Sequence, residues 1–76
     1  MNEERRDQLR GLLERVEAVK CELETIRDEE EEYRDNIPEN MQEGERYEKA
    51  NEAVDNMEEA IQALETFADN IQAAIE

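Results

Sequence analysis

Carboxylates are the residues of this 76-residue chain numerous enough to suggest chemistry. Asp28, Glu29, Glu30, Glu31 and Glu32 form an unbroken acidic run, and 24 Asp and Glu stand against 9 Lys and Arg. Acid–base or metal chemistry usually sets such groups beside His, Ser or a liganding cage. The chain has no His and no Ser, which removes Ser-His, Cys-His and His-based zinc arrangements together. Carboxylate di-iron bundles rely on Glu-x-x-His and fail on the same ground. From Asp35 onward the composition suggests a calcium loop, but the sixth residue is Asn40 instead of Gly and the twelfth is Arg46 instead of Glu. Gly11 and Gly44 are the only glycines, so there is no glycine-rich phosphate loop. Cys21 stands alone, which rules out an internal disulfide and fits a reducing cytoplasm. A reactive thiol needs a depressed pKa or a nearby base, and the adjacent Lys20 points elsewhere on a helix, so Cys21 reads as an ordinary exposed thiol. No catalytic residue, cofactor or metal is expected, and the chain reads as a non-enzyme.

The elements that carry these acids are legible from a mirror in the apolar pattern. About Asn40, apolar residues pair so that their position numbers sum to 80: Tyr33 with Tyr47, Ile26 with Val54, Leu23 with Met57, Val19 with Ile61, Val16 with Leu64, Leu12 with Ala68 and Leu9 with Ile71. Glu30 with Ala50 and Arg5 with Ile75 keep the register without the apolarity. Within each half the spacing alternates three and four, the a and d positions of a heptad. This predicts an all-α fold, an antiparallel two-helix coiled-coil hairpin, with helix one over about 3–35, an elbow over 36–44 and helix two over about 45–75. Pro38 disfavours helix at Ile37 and can start one short turn at 38–42, which Gly44 then breaks.

Flanking positions support the antiparallel sense. The e positions of helix one carry Arg6, Lys20, Arg27 and Arg34, and those of helix two carry Glu58 and Glu65. Exposed pairs of this kind add only about 0–1 kcal/mol each, so they select orientation more than they stabilise. Glu30 falls on the seam, where Arg34, Arg46 or Lys49 is expected to answer it; buried without a partner, it would make the elbow end pH-sensitive. The g positions of helix two, Ala53, Ala60, Phe67 and Ala74, add a second apolar row that one partner helix cannot cover. This row is expected to be a dimer face, joining two hairpins into a four-helix bundle.

Charge narrows the partners. Net charge is −15, and it deepens along the chain: residues 1–37 carry 7 basic and 13 acidic side chains, residues 38–76 carry 2 and 11. Such a surface repels nucleic acid and anionic membranes and attracts basic protein surfaces. No apolar run follows Met1 to Arg6, so no secretory signal is expected, and no stretch approaches the roughly 20 apolar residues that span a bilayer. Asp28, Glu29, Glu31 and Glu32 are the candidate contacts for a basic partner.

The segment Asp35-Asn36-Ile37-Pro38-Glu39-Asn40-Met41-Gln42, followed by Glu45-Arg46-Tyr47-Glu48 and Ala53-Val54-Asp55-Asn56-Met57-Glu58, resembles short acidic helical proteins of unassigned role from bacterial genomes, phages and other mobile elements. The likeness covers roughly residues 25–65. It implies a small helical cytoplasmic protein in a mobile-element setting, and it transfers no functional residue. The function expected from the whole sequence is a non-enzymatic, acidic protein–protein interaction module, an accessory or scaffold protein. The alternative is an inhibitor that mimics nucleic acid and blocks a nucleic-acid-binding enzyme such as a host defence nuclease.

Overall fold

A computed structural model describes all residues, 1–76. Helix α1 (Glu3–Asp35) and helix α2 (Glu45–Ile75) form an antiparallel hairpin, joined through a single 3-10 turn at Glu39–Met41. The molecule measures 59 × 15 × 13 Å, and its radius of gyration of 17.3 Å far exceeds the roughly 11 Å of a compact chain of this length.

Local chemistry explains the ends. The Asn2 side chain accepts from the Arg5 backbone N–H at 2.9 Å, capping α1, and Glu3 and Glu4 sit at the positive end of its dipole. At the other end the N–H of Asn36 donates to the Glu32 carbonyl and that of Ile37 to Arg34, after which Pro38 prevents continuation. The elbow then winds tightly: Met41 N–H donates to the Pro38 carbonyl at 2.8 Å, and Gly44 N–H to the Met41 carbonyl at 3.1 Å. A side chain at Gly44 would bring its Cβ to 3.2 Å from the Met41 carbonyl oxygen, so close approach favours Gly here. Ile37 is buried at 4% exposure beneath this turn, and the Gln42 amide donates to its carbonyl.

The two helices share the seam unequally. Helix α2 buries Ala50, Val54, Ile61 and Ile75, whereas α1 buries no residue completely. On α1 the half-buried residues include Leu9, Val16, Leu23 and Glu30 of one column, Arg6, Leu13, Lys20, Arg27 and Arg34 of the e column beside it, and Leu12 of the d column. Beyond Leu12 the d column turns outward: Val19 is 50% exposed, Ile26 54% and Tyr33 44%. The mirror therefore gives the register but not the rotation of α1. Val54 and Ile61 are buried as expected, while Ile26 and Val19, their sequence mates, are not. The physical reason lies in the e column, where Leu13 and the long aliphatic stems of Lys20, Arg27 and Arg34 cover apolar surface while their charged heads reach water and acids.

Glu30 also departs from expectation. Arg34 is engaged with Glu31 and Asp35, Lys49 with Glu45, and Arg46 with Tyr33, so none of the three answers it. Glu30 is half-buried at its seam position, without any of these basic partners.

Candidate interaction surface

The hairpin has two unlike sides. On the e side, Lys20 pairs with Glu65 at 3.4 Å, and Arg34 donates to the Asn51 side chain at 2.9 Å. Partial burial alone would lower the Lys20 pKa, but Glu17, Glu65 and Glu24 outweigh it and hold the ammonium above its ordinary value. At the open end, Arg6 donates from Nε to the Ile75 carbonyl at 3.0 Å, setting a cation on the negative end of the α2 dipole. Further out, Arg10 bridges Glu3 and Asp7 at 3.0 and 2.6 Å.

The opposite side is nearly bare of ion pairs. There Arg46 donates from Nε to the Tyr33 hydroxyl at 3.0 Å and stacks over its ring, which sets the d column of α1 beside the g column of α2 at the elbow end. Along this side lie the exposed Val19, Ile26 and Tyr33, together with Ala60, Phe67 (42% exposed) and Ala74; Ala53 is half-buried. An open groove of about 370 Å³ borders Ile26, Glu22 and Thr25. Asp and Glu of α2 all fall at b, e and f positions, so its a, d, g and c columns are free of acid. The four residues expected at a dimer face thus lie on a partly apolar side whose α2 columns are acid-free; Val19 and Ile26 extend it on α1, beside Glu22 and Glu29. Sequence spacing had assigned those two to the seam. Leu13, an apolar residue at an e position, was the signal that α1 packs through a neighbouring column.

The acidic run is arranged differently from a stripe. Successive helical residues point about 100° apart, so Asp28, Glu29, Glu30, Glu31 and Glu32 wind once around α1 at positions f, g, a, b and c. Asp28 holds Arg27 at 3.0 Å; that hydrogen bond, with Glu31 and Glu58 behind it, keeps the Arg27 guanidinium above its ordinary pKa. Glu31 lies 3.8 Å from Arg27 and 3.9 Å from Arg34. Glu29 and Glu32 are exposed without a basic partner, so two of the four candidate contacts are free and two are partly neutralised.

Cys21 is exposed on the outermost column of α1, its neighbour Thr25 bonding back to the Cys21 carbonyl at 3.1 Å. No three Asp, Glu or Cys side chains converge on a point that would hold a metal ion. A second open groove of about 370 Å³ lies at the elbow, lined by Ile37, Asn40, Met41, Gly44, Glu45 and Arg46. No helix is long and apolar enough to cross a membrane. No family model, curated protein or solved structure matches the chain.

Proposed function

We infer that the protein is a non-enzymatic protein–protein interaction module, a small scaffold or accessory protein that works through its helical faces. The observation carrying this reading is the apolar side whose α2 columns are free of acid: Val19, Ile26, Tyr33 and Phe67 are exposed on it in a chain of net charge −15. In so acidic a molecule, an apolar strip with Glu22 and Glu29 only along its α1 edge is a surface suited to another protein. The outer columns of α2, where its acids collect, offer a second contact for a partner with basic surface. The free Cys21 suits a reducing cytoplasm, and the elbow resemblance adds a bacterial or phage setting.

The acidic columns of α2 also favour a second reading, an inhibitor that mimics nucleic acid. Against it stand the winding of the 28–32 run around α1 and its pairing with Arg27 and Arg34. Capture from lysate separates the two, using the wild type, Phe67→Glu and a Glu29→Gln/Glu32→Gln double variant, washed at low and high salt with and without DNA. A partner that survives salt, ignores DNA and is lost with Phe67→Glu supports the module. A nucleic-acid enzyme released by salt and DNA, and lost with the double variant, transfers the function to mimicry.

A further inference from the structure

We propose that this apolar side is covered by a second copy of this chain, in one register: α1 on α1 and α2 on α2, both antiparallel, with the two elbows at opposite ends. The proposal rests on the interaction-module reading and names its first partner.

Surface area is the first argument. The hairpin exposes 5729 Å², whereas a folded monomer of 9.0 kDa exposes about 4,850 Å². The excess is close to the roughly 800 Å² that each partner buries in a stable interface.

Self-complementarity is the second, and it fixes the register. On α2, antiparallel packing of g columns about Ala60 sets Ala60 on the partner's Ala60 and Phe67 on the partner's Ala53, a large residue over a small one. On α1, packing of d columns about Val19 sets Val19 on the partner's Val19 and Leu12 on the partner's Ile26. The flanking g column then brings Arg15 to the partner's Glu22, opposite in sign. Both centres follow from the lengths of the helices. Val19 is the middle residue of α1 (Glu3–Asp35) and Ala60 the middle residue of α2 (Glu45–Ile75), so each helix overlaps its mate along its whole length. In the hairpin register, Ala60 lies at the level of Lys20, one residue and about 1.5 Å from Val19. A single two-fold axis therefore serves both layers, as an isologous dimer requires.

Charge is the third. Two chains of net charge −15 must meet where carboxylates are few, and the acid-free g and c columns of α2 offer that meeting place. In this register Arg46 also reaches the C-terminal turn of the partner's α2, the negative end of its dipole.

Sedimentation equilibrium of the full chain at tens of micromolar tests the state, and disulfide trapping in a Cys21→Ser background tests the register. The expected results are a dimer mass, weakened about thirtyfold or more by Phe67→Glu while the circular dichroism stays helical. Ala60→Cys should cross-link to itself on oxidation, because two Cα atoms must approach within about 7 Å and small residues permit it. Ala53→Cys should not cross-link alone, but should do so when mixed with Phe67→Cys. A monomer mass at these concentrations overturns the proposal, as does self-linking of Ala53→Cys in place of Ala60→Cys. A monomer that still captures a salt-resistant protein through Phe67 refutes the dimer alone. A cross-linked dimer that captures nothing refutes the module reading alone.

Discussion

Arg46 Nε lies 3.0 Å from the Tyr33 hydroxyl, with its guanidinium 5.7 Å from the ring centroid. The pair closes the elbow end of the hairpin on the side away from Arg34 and Asn51, so the last turn of α1 and the first of α2 are tied on both flanks. It is also a short span for so many constraints, since only Asn36 to Gly44 separate the two helices.

Removing the Arg46 contact should therefore loosen the elbow without unfolding the chain. Arg46→Ala is expected to cost about 0.5–1 kcal/mol, the range of an exposed cation–π contact, measured as a shift in urea midpoint at constant slope. Tyr33→Phe keeps the ring and loses the hydroxyl, and should cost less than Arg46→Ala. Equal losses would mean that the hydrogen bond, not the stacking, supplies the contact.

Gly11 offers a gain. It lies inside α1, and a Cβ there meets nothing within 4 Å. Gly11→Ala should stabilise the helix by about 0.5–1 kcal/mol, because Ala loses less backbone freedom on folding. A lower thermal midpoint in the variant would show that Gly11 is needed for a contact outside the hairpin.

The hairpin, its turn and its orientation were legible in the sequence because they depend on period and sign. Heptad spacing locates the helices, Pro38 and Gly44 punctuate the elbow, and Lys20 with Glu65 sets the antiparallel sense. The rotation of α1 was not legible, because a and d spacing treats Lys and Arg as polar when their stems act as cover. The burial of Ile37 was hidden for a related reason: it depends on the elbow folding back over its own first residue. The apolar side sits between these cases. Its α2 half is written in the alanines and Phe67, and its α1 half follows only once the rotation is known.

Ile37 at the elbow and Ile26 on the outward column of α1 should give opposite outcomes, and Ile26 tests the rotation. Ile37→Ala removes one of five buried residues, and should cost at least about 2 kcal/mol, the low end for truncating a buried isoleucine. Ile26→Ala removes a side chain 54% exposed within the hairpin, and the unfolding free energy at nanomolar concentration should change by under about 0.5 kcal/mol. A large loss at Ile26 in the dilute protein would return it to the seam.

Lys20 predicts the alkaline side of the stability profile. Its pKa is raised in the fold, so its contribution is complete below the unfolded value of about 10.4 and is lost as pH rises through the higher folded value. Unfolding midpoints should fall above that point, and Lys20→Met should flatten the decline. Glu3 acts at the other end. Its hydrogen bond and charge interaction with Arg10 lower its pKa, so its contribution is present above the unfolded carboxylate value and disappears as pH falls through the folded one.

Salt should act on this protein in the direction opposite to its effect on most ion-paired helices. The pairs along the hairpin are partly exposed, and salt weakens each of them. Against them stands a net charge of −15 spread over a molecule 13–15 Å thick, comparable with the Debye length of about 10 Å at 0.1 M salt. Repulsion over those distances is screened along with the pairs, and excess acids outnumber the pairs that salt would weaken. Sodium chloride should therefore raise the thermal midpoint between low millimolar and half-molar concentration, and shift the chain toward dimer, because two like-charged copies gain most from screening. A midpoint that falls with salt would show that the local pairs outweigh the net charge, and would remove the electrostatic reason for copies to meet on the apolar side.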